Sequence, residues 1–539
     1  MSPRQARKAR PGPRQARSAG SPAGQARPAR QARGRQLTNR FVLAFLVLLA
    51  LAGLYGIAGL SRAVELTAAR PAASAGQLAV SSALVGCPGP GSGAVTGGNI
   101  AEASAPASTG SGQITLTVPG PAVKGQPAAP VVNSPQPGQL TIKTVKTAPV
   151  VSNKAATLPS MAGGKVPTAL APGGLFVAAT GANAQGFDVE QLGPGGKPTA
   201  RCQAPGSDFW FVAPEATTTH TQLYLMNPDS TPADAHVAIV TDSGPLLGKP
   251  DSGISVPPHA MIVQNLDHLV HAARDAAFHV TTSSGLVVAA VRQTDSLSKP
   301  GIWLPQAAEP ATSQVLTGLP DMTGTRELYI TVPGAKAAKV TVTAVSPRGS
   351  YQPTGGNAIS LLGKVTTGVS IPALSGFPGS IWVSSSVPVT AALEVSGGPP
   401  GAPGAFITGS APITEQGVVA ASPAGAAGTT DLVLSAPGKA ATVRIAQAVP
   451  GTALTGQPGQ LVHIAAKSAA KVAIKVPKQD AKAKLVALLV TPQPGSGPVY
   501  AARLAQASGA VQGVLPVIST PTRIDLPAGR PSLLAVLGN

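Results

Sequence analysis

The chain has 539 residues, of which only 11% are charged, yet 40 Lys and Arg against 21 Asp and Glu leave a net charge of +19. With 62 Gly and 55 Pro it stands just under the level at which composition alone argues for disorder. The length excludes a single compact core and predicts three or four units.

Residues 1–40 hold eleven cations, from Arg4 to Arg40, and no acid. This tail repeats Gln-Ala-Arg, carries Pro and Gly, and has almost no large apolar residue before Leu37, so it cannot bury a core and reads as a disordered basic tail. Residues 41–60, FVLAFLVLLALAGLYGIAGL, follow without a charge. As a helix this run is about 30 Å long, the thickness of a bilayer's hydrocarbon layer. A cleaved signal peptide is the competing reading. Its apolar region is shorter, however, and the nearest A-x-A pattern, Ala73-Ser74-Ala75, lies well past the apolar end. The positive-inside rule sets the N-terminus in the cytoplasm and residues 61–539 outside the plasma membrane, as a single-pass protein of the cell envelope. The tail serves as the topogenic signal. Its alternative use is a grip on anionic lipid, since each cation near a charged leaflet contributes about 1 kcal/mol. Nucleic acid is not an expected partner, because the tail lacks aromatic residues for base stacking.

Residues 61–110 are rich in Ala, Gly and Pro and read as linker, with a strand near 77–87. Beyond them one pattern recurs. LYLMNP at 223–228, LYITVP at 328–333 and LVLSAP at 432–437 start successive copies. Strand-like runs follow with Val237, Val340 and Val443, and each copy ends in two alanines, LVVAA at 286–290, PVTAA at 388–392 and PVYAA at 498–502. A weaker copy precedes them in ITLTVP at 114–119 and GLFVAA at 174–179. The expected fold is all-β, a tandem array of immunoglobulin-like sandwiches: a degenerate first unit at 111–200, then units at 201–310, 311–415 and 416–539. One helix is expected, over 266–277, as a connection between strands.

Cys87 and Cys202 are the only cysteines, and both fall on the predicted outer side, where a disulfide is allowed. Two separate buried thiols are the alternative. Six of seven histidines, His220, His236, His259, His268, His271 and His279, lie in one unit. His268 and His271 with Asp267 and Asp275 could form a surface metal clamp, but no HExxH or Cys ligand set accompanies them, so no metal site is assigned. No Gly-Lys pair is followed by Ser or Thr, and no GxSxG elbow or CxxC is present. No catalytic residue and no cofactor is therefore expected. In Phe209-Trp210-Phe211, strand alternation turns Trp210 away from the two phenylalanines. It could present a binding surface for a sugar or a partner, or pack on a neighbouring unit.

The order of basic tail, apolar segment, Cys87-Pro88-Gly89-Pro90, RCQAPGSDFWFVAP at 201–214 and LYLMNPDSTPADAHVAIV at 223–240 resembles actinobacterial membrane or secreted proteins grouped as domain-of-unknown-function family 5719. The resemblance runs from about Leu78 to the C-terminus and implies location and architecture, with no catalytic residues. The expected role is a binding or scaffolding module whose partners are other envelope proteins or cell-wall glycans. An envelope hydrolase with a site between units is the rival from another class.

Overall fold

Short runs of Val, Leu, Ile and Thr, alternating in burial and cut by Gly and Pro, form strands throughout, and the protein is all-β. The computed structural model describes residues 45, 47–49, 77–88, 99–103, 112–117, 120–124, 145–146, 174–192, 198–214, 219–246, 253–271, 273–295, 301–322, 324–371, 376–395, 404–420, 429–449, 457–475, 486–507 and 510–525. The basic tail 1–40 lies outside them, as does the predicted span 41–60 apart from the helical Phe45, Val47, Leu48 and Leu49. Among the described residues no helix is long and apolar enough to cross a membrane. The chain divides into residues 1–74 and 75–539, and among the described residues all the strands belong to the second part.

The last block shows the building plan. Its strands are Gly417–Val419, Thr429–Ala436, Ala441–Ala448, Gly459–Ile464, Ser468–Ile474, Ala487–Pro492, Tyr500–Ala507 and Ala510–Val517. They make two 4-stranded antiparallel sheets: first, sixth, third and fourth strands in one, fifth, second, seventh and eighth in the other. Leu432, Leu434 and Ile474 of one sheet meet Val443, Ile445 and Leu488 of the other in a shared core. Each such side chain contributes roughly 1.5–3 kcal/mol when fully buried.

Two preceding blocks repeat that order. In the second block the strands are Asp208–Pro214, His220–Met226, Ala233–Thr241, Ile254–Val256, Ala260–Asn265, Asp275–Ser284, Val288–Thr294 and Ile302–Leu304. In the third they are Ala311–Leu319, Arg326–Val332, Ala338–Ser346, Ile359–Leu361, Val365–Ser370, Gly379–Val395 and Ala405–Ser410. There the long strand Gly379–Val395 serves as both sixth and seventh. Its rungs to Ala338–Ser346 end at Ser385, those to Arg326–Val332 begin at Thr390, and Pro388 falls at the crossing, where a missing N–H breaks neither of these ladders. One backbone device recurs before the fifth strand of the second, third and fourth blocks. His259, Lys364 and Lys467 all adopt the left-handed region, with φ of 51°, 59° and 56°.

The predicted helix 266–277 is corrected to a single turn, Asp267–Val270. From Asp275 the chain is a strand, because pairing with Asp208–Pro214 and Ala233–Thr241 outweighs the helix propensity of Ala276 and Ala277.

The first block is assembled differently. Gly112–Thr117 and Leu175–Gly181 pair as second and seventh strands do elsewhere, but the eighth position is filled by Ser82–Cys87, which precedes both in the chain. A second sheet combines Asn99–Ala103, Asp188–Leu192 and Pro198–Arg201. The segment read as linker thus supplies this block with a strand where one was expected, Ser82–Cys87, and with a further one, Asn99–Ala103. Gly120–Lys124 leaves it to run parallel to Ala260–Asn265 of the second block.

Consecutive blocks dock in a repeated way. The Thr366 hydroxyl donates to the Val240 carbonyl at 2.7 Å, and one block later the Ser468 hydroxyl donates to the Ser346 carbonyl at 3.3 Å. Apolar clusters bridge each junction: Phe176 with Tyr224 and Trp303, Phe278 with Tyr329 and Phe406, Leu316 with Val433 and Val514. The fourth block returns to the first, where Ala103 packs with Val418, Ala420 and Ala487, and Gln77–Ala79 pairs antiparallel with Arg523–Asp525. The four blocks close on themselves.

Two acids are held near the junction of the second and third blocks, Asp275 across it and Glu394 within the third block. Asp275 accepts a hydrogen bond from the Gly368 N–H at 2.8 Å, and Glu394 accepts one from the Tyr329 hydroxyl at 3.1 Å. Burial pushes both carboxyls above their ordinary values. The folded state therefore holds protons that the unfolded state has released, so this contribution is present below the unfolded values of 3.8 and 4.5 and is lost as pH rises through the folded ones. Thermal unfolding of Glu394→Gln and Asp275→Asn is expected to show less gain in Tm than the parent on going from pH 7 down to pH 4, an interval that reaches the unfolded values. An unchanged gain would disprove it.

Candidate functional site

A cavity of about 850 Å³ opens where the four blocks meet. The first block lends Pro88 and Arg201, the second Phe211 and Trp303, the third Gln314, Phe406 and Ser410, and the fourth Tyr500, Gln512 and Leu515. Residues 301–309, the eighth strand of the second block and the connection that follows it, form much of one wall. This segment's entry needs glycine, because a Cβ on Gly301 would collide with the Gln293 carbonyl oxygen. Gly409 is needed in the same sense, since a Cβ there would collide with Gln314 Oε1.

The wall is close to neutral. Among the described residues that line it, Arg201 and Glu309 are the only charged ones. Arg201 is committed to structure, with its Nε 3.0 Å from Asp188 and its Nη1 donating to the Pro516 carbonyl at 2.8 Å. Glu309 is exposed. Burial pushes the Tyr500 phenol up, which keeps it uncharged. Two residues of the wall each bury a polar atom in the protein with no hydrogen-bond partner: Gln314 Oε1, which lies against Gly409, and Ser410 Oγ. The Gln314 amide nitrogen is already spent, donating to the Glu309 and Val389 carbonyls at 2.8 Å each.

Arg201 belongs to a buried charge cluster behind this wall. Asp188 receives Arg201 and also the Ala420 N–H at 2.9 Å, while Glu190, fully buried, pairs with Arg503 of the fourth block. Burial pushes the Glu190 carboxyl up and the Arg503 guanidinium pulls it back. These four residues tie the first block to the fourth.

Cys87 and Cys202 form a disulfide, both sulfurs buried, and each is followed by a residue of the cavity wall, Pro88 and Gln203. Trp210 requires a correction, since it presents no free face. It is 5% exposed, stacks on His279 at 3.9 Å, and shares an apolar cluster with Tyr329, Ala392 and Phe406 of the third block. The histidines are dispersed. His220 contacts Asp267 at 2.7 Å, His279 contacts Asp208 at 3.2 Å and His236 contacts Ser283 at 3.2 Å. Among the described residues no group of three or more His, Cys, Asp or Glu is placed to hold a metal ion. Reading the sequence did not single out Gln314, Ser410, Glu190, Arg201 or Arg503. The available signal was a charge or amide at a position of a strand whose neighbours are all apolar, as in YAARLAQA around Arg503.

No curated protein matches the chain. A family model, that of a family of unknown function (DUF5719), matches residues 155–477, more than half of the chain and a span that includes the second and third blocks whole. The protein therefore belongs to this family.

Proposed function

We propose that the protein is a non-catalytic binding or scaffolding module of the cell envelope, anchored through residues 41–60 with its N-terminus inside and its β blocks outside. The observation that carries the binding role is the neutral cavity at the four-block junction, of a size typical of ligand sites. Eleven cations before an uncharged 20-residue run support the orientation, and the Cys87–Cys202 disulfide supports an oxidising compartment. The family resemblance and the Ala, Gly, Pro and Arg usage support an actinobacterial source. The blocks are sandwiches of immunoglobulin-like kind in one respect: second pairs with fifth and third with sixth, as B with E and C with F. The first, fourth and seventh strands lie on the opposite sheets from that fold.

Proximity labelling with a peroxidase fused after Asn539 tests the location and the role together. Envelope proteins or exported enzymes should be recovered. Recovery of cytoplasmic proteins alone would overturn the topology and the envelope role.

A further inference from the structure

We infer that the outer sheet face of the third block around Trp382 is a glycan-binding platform, on which the indole stacks an uncharged pyranose ring; this rests on the binding role proposed above. The chain holds three tryptophans, and two of them, Trp210 and Trp303, are buried at 5% and 8% exposure. Trp382 differs. It stands on Gly379–Val395 between Ile381 and Val383, which both point into the core, so strand alternation turns its indole to the opposite face, where it is half-buried. Among the described residues no apolar core includes it. Val315 and Thr343 lie directly opposite it on the two neighbouring strands, and in the next row Ser384 lies between Ser313 and Thr341. Residues so paired share a face, with Cβ atoms about 4.5–5.5 Å apart, close to the width of a sugar ring. Ser313 is exposed, and Thr341, Thr343 and Ser384 are half-buried, so a ligand meets them from solvent. The indole Nε1–H donates to the Ser313 hydroxyl at 2.8 Å. Its polar edge is thereby satisfied and the ring is fixed, so what it still offers is apolar face. Hydroxyls beside that face both donate and accept. A pyranose asks for this combination, since it has a C–H face to stack and hydroxyls around its rim. None of the six positions is charged, and the next side chain on this face beyond Thr341 is the exposed Lys339, so an ionic group at the ring finds no countercharge beside it. Ser313 and Val315 also line the four-block cavity, and the platform continues from its wall.

The full chain, held in a detergent without a sugar headgroup, should be titrated with maltotetraose, cellotetraose and tri-N-acetylchitotriose, with saturation-transfer NMR as the readout. At least one of these is expected to bind. Trp382→Ala leaves the core side of the strand untouched, so it should keep Tm and weaken that sugar about tenfold. Ser384→Ala keeps the ring, removes one hydroxyl and should weaken the same sugar about twofold to tenfold, which tests the site even if the tryptophan variant does not fold. Sugar binding that is unchanged in these variants overturns this site. Silence from all three sugars, with envelope proteins still recovered by proximity labelling, overturns the glycan in favour of a protein partner and leaves the binding role standing. Silence together with recovery of cytoplasmic proteins alone overturns both.

Discussion

Replacing Glu190 by alanine is expected to lower stability by about 3–5 kcal/mol, because it leaves Arg503, 1% exposed, as a buried cation without its carboxylate. The cost comes from stranding a charge rather than from the strength of the pair. The double variant Glu190→Ala with Arg503→Met should therefore be less destabilised than Glu190→Ala alone, since both charges leave the interior together. Amide exchange would locate the damage. Faster exchange is expected at Asp188–Leu192 and Tyr500–Ala507, the strands that carry the two residues. The third block has no part in the pair and should keep its protection. A Glu190→Ala variant as stable as the parent would show that the first and fourth blocks do not depend on this pair.

Breaking the Cys87–Cys202 bond should be comparably severe. The two residues are 115 apart in sequence, and on the chain-entropy estimate a loop of that length removes roughly 5 kcal/mol of unfolded-state freedom. Denaturant unfolding of the Cys87→Ala/Cys202→Ala double variant is expected to show a loss of about 2–5 kcal/mol. Intact-mass measurement after alkylation, with and without reductant, should find no free thiol in the unreduced protein. Two alkylated cysteines without reductant would refute the bond.

Much of the strand plan was legible. The copies starting at Leu223, Leu328 and Leu432 are second strands, the runs through Val237, Val340 and Val443 are third strands, and the paired alanines lie on seventh strands. Even the weak first copy was readable, since Gly112–Thr117 and Leu175–Gly181 pair with each other. These features are local, and a repeated period makes them visible. Alternation in Asp208–Pro214 shows which residues share a face with Trp210 but not that the third block covers it. The cavity was not legible for the same reason. Its lining residues come from strands and connections of all four blocks, and only the meeting of those blocks encloses the space. The Glu190 and Arg503 charges are 313 residues apart, and no short pattern links them.

The pairing of Gln77–Ala79 with Arg523–Asp525 has a kinetic side. The strand that completes the fold, Arg523–Asp525, follows every other described strand in the chain. At about 5–20 residues per second, the 313 residues between Glu190 and its partner alone take roughly 15–60 s to make. During that interval the first block waits with a buried-type carboxylate in water and an uncovered edge, although the middle blocks can fold as they emerge. The nascent chain is thus most exposed to misassembly or proteolysis in its first block, until Arg523–Asp525 has been made.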